Sequence, residues 1–200
     1  MVRGRQRFPH RRPLEVVMAL REILIWPDKR LTQVSLPVPE VNDDVRALAQ
    51  DMLDTMYANN GVGLAAPQVG VLLRVVVVDL QGREGAPSDQ PPVVMVNPVI
   101  VHREGQLTWE EGCLSVPNEV GQVTRASKST AEYLDLQGKP RRVSGEGLAS
   151  VALQHEIDHL EGKLFVDYLG MVRRDVIRRR MLRLKSDRES TRTYPASATL

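Results

Sequence analysis

The chain has 200 residues, of which 42% are hydrophobic and 26% charged, and its formal net charge is +2. That length suits one domain with a sizeable core, and the balance is that of a globular protein. No apolar run reaches the length of a membrane span, the arginine-bearing start lacks the apolar stretch of a secretory signal, and a single cysteine excludes an internal disulfide and fits a reducing compartment.

The charge is unevenly placed. Residues 1–12 hold five arginines and no acid, and residues 171–200 hold nine Lys or Arg against three acids, which leaves residues 13–170 at net −9. Most single arginines in such ends simply solvate a surface, but a basic end can also approach RNA. Residues 1–20, interrupted by Pro9 and Pro13, read as an extension. It is Arg-rich like an organellar transit peptide but lacks the usual serines. Ile23 to Val38 reads as extended and turn-rich. A helix should follow, capped by Asn42 or Asp43. Val45, Leu48, Ala49, Met52, Leu53 and Met56 fall on one apolar face of it, and Asn59-Asn60-Gly61 stops it. The stretch Gly61 to Gly70 is a small-residue loop that allows another backbone close approach.

Leu72 to Leu80, centred on four valines, predicts a strand buried on both faces. Gln81 to Pro92 reads as a polar loop. Val93 to Val101 predicts a second strand, which Pro98 should confine to an edge or make irregular. Extended chain runs from Gln106 to Pro117. Short strands are expected at Val120 to Arg125 and Ala131 to Leu136, with a turn at 137–140 leading through Arg141 to Val143. Ser144 is a candidate cap for an apolar helix that Gly162 ends. A last helix should bury Val172, Val176, Ile177, Met181 and Leu184 and expose its arginines. Residues 186–200 read as a frayed tail. The domain is therefore expected at 21–185.

The chemistry concentrates in Gln154-His155-Glu156-Ile157-Asp158-His159, an H-E-x-x-H pattern. Two histidines four apart on a helix stand one turn above each other and can point at one metal ion, with the glutamate beside it as a general base. With this composition a chance match is expected only about 0.005 times. A catalytic metal usually takes three protein ligands and keeps one position open. A further histidine three residues after Gly162 would complete one known pattern, but Phe165 stands there. Two routes to a third ligand remain open. One is a downstream carboxylate among Asp167, Asp175, Asp187 and Glu189. The other is Cys113, which elsewhere would read as a small buried apolar residue but here lies in Glu111-Gly112-Cys113-Leu114-Ser115.

Three stretches, Gly61-Val62-Gly63-Leu64-Ala65-Ala66-Pro67-Gln68, Glu111-Gly112-Cys113-Leu114-Ser115 and Gln154 to His159, together make the chain resemble the peptide deformylases, from about Ile23 to about Leu169. The resemblance implies an α+β fold, with the H-E-x-x-H helix packed among antiparallel sheets and flanked by an N-terminal and a C-terminal helix. It implies Cys113, His155 and His159 as ligands of one divalent metal, iron(II) by family habit, with zinc, nickel or cobalt acceptable to the same donors. It implies hydrolysis of the formyl group of N-formyl-methionyl nascent polypeptides by a metal-bound water, with Glu156 as base and then acid. Gln68 and the Leu114 N–H would stabilise the oxyanion, and Val62, Gly63 and Gly112 would bind substrate. A cytoplasmic, ribosome-linked life follows, in a bacterium or an organelle, with no membrane partner, and the basic last helix is a candidate ribosome contact. The contrasting expectation is a metal protein that docks on the ribosome without turnover. Glu156 and Gln68 speak against it, since neither is needed to hold a metal.

Overall fold

The computed structural model describes residues 20–81 and 91–193. The expected N-terminal extension, apart from Leu20, most of the 81–92 loop and the last seven residues of the expected tail lie outside the described residues.

The first helix, α1 (Asp43–Ala58), starts as its sequence requires. The Asn42 side chain accepts the Val45 N–H at 3.1 Å, and Asp43 and Asp44 occupy the first turn. Val45, Leu48, Ala49, Met52 and Met56 are buried. Asn60 then takes a positive φ of 55° and the Gly61 N–H returns to the Met56 carbonyl at 2.9 Å, closing the end.

Seven strands follow: β1 (Gly63–Ala65), β2 (Val75–Val78), β3 (Val93–Glu104), β4 (Leu107–Cys113), β5 (Val116–Arg125), β6 (Lys128–Leu134) and β7 (Pro140–Glu146). One antiparallel sheet has the order β1-β2-β3-β6-β7, and β4 and β5 form a separate hairpin. Among the described residues the two remaining α-helices are α2 (Leu148–Leu160) and α3 (Met171–Thr193). The four valines of β2 are all buried, as their unbroken run predicts, because the sheet is covered on both faces. Val75 and Val77 join the cluster with Leu48, Met52 and Met56 of α1, whereas Val76 and Val78 join Ala152, Leu153 and Leu160 of α2. Each buried valine, leucine or methionine among them contributes about 1.5–3 kcal/mol relative to exposure.

Pro98 does not mark an edge. β3 lies between β2 and β6. The ladder to β6 shifts register between Val96 and Val99, so the missing N–H of Pro98 falls in a bulge and costs no ladder bond. Asn97 (φ 52°) holds that bulge by bonding both the N–H and the carbonyl of Val38 at 2.8 Å.

Ser144 is not a helix cap. It sits within β7 opposite Thr130, and their hydroxyls are 2.9 Å apart. α2 instead starts after Gly147, whose positive φ of 58° turns the chain directly from strand into helix.

The last helix also differs from expectation. Ile177 and Met181 are buried and Leu184 packs against the same cluster, but Val172 is 81% exposed and Val176 faces outward. The first turn of α3 overhangs the core, so only its middle finds a partner surface. Arginines contribute to fastening it, with Arg180 and Arg173 on the buried Glu119 and Arg174 on Asp167. The helix continues to Thr193, past the point where a tail was expected. Among the described residues no helix is long and apolar enough to cross a membrane.

Candidate active site

α2 is buried along nearly its whole length, which places His155, Glu156 and His159 inside the molecule. Cys113 ends β4, where the hairpin register slips between Gly112 and Cys113. That bulge re-aims the cysteine. Its Sγ lies 3.3 Å from His159 Nε2. The donor atoms of Cys113, His155 and His159 all lie within 4.8 Å of one another. A thiolate and an imidazole sharing one tetrahedral ion stand about 3.5 Å apart, so the three residues fit a metal. Of the downstream carboxylates, Asp167 pairs with Arg174 and Asp175 with Arg179, and among the described residues the cluster consists of Cys113, His155 and His159; the Glu189 side chain lies outside the described residues.

Of the candidate ligands His155 is held from behind, whereas the buried His159 Nδ1 has no hydrogen-bond partner among the described residues. His155 Nδ1 is 2.7 Å from Glu111 Oε2, which leaves Nε2 to face the cluster. Glu111 is paired with Arg125, whose Nη2 donates to Oε2 at 3.0 Å and whose Nε donates to Oε1. Arg125 Nη1 also donates to Asp158 Oδ2 at 2.7 Å. Tyr168 donates its hydroxyl proton to the same carboxylate oxygen at 2.7 Å and lays its ring 5.0 Å below the guanidinium. A carboxylate behind a ligating imidazole fixes its tautomer and orientation.

The electrostatics follow from burial. Burial pushes the Glu156 carboxyl up to about 7, against the positive charges of His155 and Arg125 and with the help of Glu111. Burial, with His155 and Arg125 nearby, holds the His159 imidazole well below its ordinary value, in the neutral form a metal ligand needs. Burial opposes a charge on His155 as well, but its bonds to Cys113 and Glu111 outweigh that and raise it.

Gln68 sits in a single 3₁₀ turn, Ala66–Val69. Its Oε1 accepts the Ala65 N–H at 2.8 Å, so its Nε2 is turned toward Cys113 Sγ at 3.4 Å and Ser115 Oγ at 3.2 Å. Leu114 lies at the tip of the β4–β5 hairpin, outside the ladder register. Gly63 faces Glu156 so closely that a Cβ there would overlap the carboxylate. The small residues here predict close approach of another backbone, but at Gly63 the neighbour is the Glu156 side chain. A cleft of about 1160 Å³ is lined by Val62, Gly63, Gln68, Gly112, Cys113, Leu114, His155 and Glu156. His159 lies behind them, 1% exposed.

Residues 20–175 match the family model for polypeptide deformylase. The chain belongs to the peptide deformylase family. It is 52% identical over 167 residues to a peptide deformylase of Alkalilimnicola ehrlichii, covering 84% of this chain and 92% of that one. It is 44% identical to one from Rhizobium meliloti, over 86% and 97% of the two chains. Among solved structures, a peptide deformylase from Legionella pneumophila superposes with a TM-score of 0.78 at 46% identity, over 86% of this chain and 98% of that one. One from Ehrlichia chaffeensis, solved with actinonin, does so at 0.77 and 38%, over 82% and 96%.

The protein is a metal-dependent hydrolase that removes the formyl group from N-formyl-methionyl peptides. The α+β fold expected from the motifs is the one observed. Around the deformylase centre, the support behind the candidate ligands is the part that the sequence did not signal. Glu111 lies within one of the three motifs, but its neighbours in sequence do not reveal its partner on α2. Arg125 and Tyr168 carry no local signal, because only the hairpin and the turn after α2 bring them together. Asp158 could have been found, since it lies between the two histidines on α2 and one turn from Gln154.

Proposed function

We propose that Cys113, His155 and His159 hold one divalent ion and that Glu156 moves the proton in formyl hydrolysis. The convergence of one sulfur and two imidazole nitrogens beside the buried Glu156 oxygen Oε2, which has no hydrogen-bond partner among the described residues, carries this reading. When bound, such an ion acts as a Lewis acid and lowers the pKa of water toward neutrality. Glu156 accepts a proton from the attacking water and delivers it to the departing amine nitrogen. A C–O bond forms at the formyl carbon, its C–N bond breaks, and formate leaves. Gln68 Nε2 and the Leu114 N–H donate to the oxygen that gains charge. Val62, Gly63 and Gly112 line the path of an extended peptide. β1 has a free edge in the five-stranded sheet, which suits strand addition by that peptide.

Iron(II) is the proposed native ion, since a thiolate with two imidazoles accepts it as well as zinc, nickel or cobalt. Cys113→Ser is expected to lose the ion, and with it formate release from a formyl-Met peptide. Metal content and turnover measured on protein purified without oxygen check this, and retained metal with retained rate would remove Cys113 from the ligand set.

A bacterial cytoplasmic location is proposed, with the nascent chain met at the ribosome. Among the described residues no ion pair holds the exposed Arg178 and Arg183 of α3, which leaves them to meet RNA phosphates, while Arg173, Arg174, Arg179 and Arg180 already face carboxylates. Arg178→Glu with Arg183→Glu should weaken ribosome binding and flatten its salt dependence by about 0.7–0.9 in log–log slope per lost phosphate contact. Co-sedimentation across a salt series measures it, and an unchanged slope would rule the contact out.

A further inference from the structure

The cleft is larger than a formyl-methionyl group needs. Pockets that bury a drug-sized ligand run to about 300–1,000 Å³, and this one reaches about 1160 Å³. From Glu156 and Gln68 it extends to Leu184, Asp187 and Arg188 near the C-terminal end of α3. The middle of that helix is a fixed part of the fold. Ile177, Met181 and Leu184 pack with Ile25, Val116 and Phe165, and Lys185 Nζ lies 3.7 Å from Asp28. One turn further up the helix, Arg180 donates to the buried Glu119 of β5 at 2.7 Å. The strand that forms one lip of the cleft is thereby tied to the helix that forms its far wall.

We infer that Arg188 is a specificity-determining residue that binds the backbone of the nascent peptide downstream of its first two residues. The inference rests on the deformylase activity and extends it to chain length. An extended peptide advances about 3.3 Å per residue and presents a carbonyl at each step. Arg188 is exposed at the cleft mouth and carries a planar fork of donors. Bonds from that fork to main-chain carbonyls are blind to side-chain identity, which suits an enzyme that must accept every nascent chain. The methylene stem of the arginine adds apolar cover beside Leu184.

The test compares formyl-methionyl peptides of two to six residues on the full-length enzyme and on Arg188→Met and Arg188→Lys. In the unaltered enzyme kcat/KM is expected to rise with peptide length, and a flat dependence would overturn the inference. Arg188→Met flattens that rise by about two- to fivefold, the scale of one exposed polar contact. The loss should fall on KM, because the contact is equal in ground and transition states. Arg188→Lys, with fewer donors on a similar stem, retains part of the rise. An unchanged length dependence in Arg188→Met would overturn the inference. So would an equal loss on the dipeptide and the hexapeptide, since that would place the effect on the fold or the metal site.

Discussion

Glu156→Gln is expected to lower kcat/KM for formyl-peptide hydrolysis by about 100- to 10,000-fold while the metal content stays the same. The size follows from what the residue does and does not do. Glu156 is not among the three residues whose donor atoms converge, so its neutralisation leaves the ligand set intact. The carboxylate is buried, one oxygen has no hydrogen-bond partner among the described residues, and its stem packs against Gly63. Glutamine is the same size and keeps that packing, so the fold is preserved. It cannot accept a proton, however, and the water and the leaving amine lose their shared carrier. By comparison, losing one oxyanion donor such as the Gln68 amide costs about 100- to 1,000-fold. Formate release read beside metal analysis checks the prediction. A rate within tenfold of the unaltered enzyme would remove Glu156 from its role.

The second large effect is on stability. Arg125→Met should destabilise the folded protein by about 3–5 kcal/mol, the usual result of removing one partner from a buried ion pair. Arg125 and Glu111 expose only 4% and 2% of their side chains, and Asp158 17%. Methionine fills much of the space and keeps some contact with the Tyr168 ring, but it leaves two carboxylates facing each other without the cation between them. The effect also reaches the metal. Glu111 holds His155 through Nδ1, and without Arg125 it is no longer held itself. Loss of such outer support commonly weakens metal affinity about 10- to 100-fold. Urea unfolding gives the first quantity and competition with a chelator the second. If Glu111→Gln in the Arg125→Met background recovers stability, the cost lay in the unpaired charge. A single variant as stable as the parent would show that the pair contributes nothing net.

The periodic elements were legible where one physical rule acted alone. α1 followed from an apolar stripe and an asparagine cap, and β2 from four valines shared between two faces of a covered sheet. The misreadings arose where two rules competed. Ser144 is a good cap by type, yet the strand that pairs with β6 claimed it, and Gly147 made the turn. Pro98 is not among them: of the edge or irregularity expected of it, β3 shows the irregularity, a bulge that absorbs the missing donor. Val172 and Val176 keep helical spacing with Ile177 and Met181, but spacing alone does not say where the opposing surface stops.

What the sequence determined by itself is the chemistry. His155, Glu156 and His159 are set by helical geometry over one turn, a local property that needs no knowledge of the rest of the chain. The motifs around Gln68 and Cys113 named the remaining parts through their likeness to a family. The tertiary structure decided what lies between the motifs. The hairpin slip brings Cys113 to His159. The Arg125 bridge joins β5, β4 and α2, and the α3 wall lies across from Glu156. Those contacts link residues far apart in the chain, so their energy depends on how strands register and helices dock, and no local pattern encodes it.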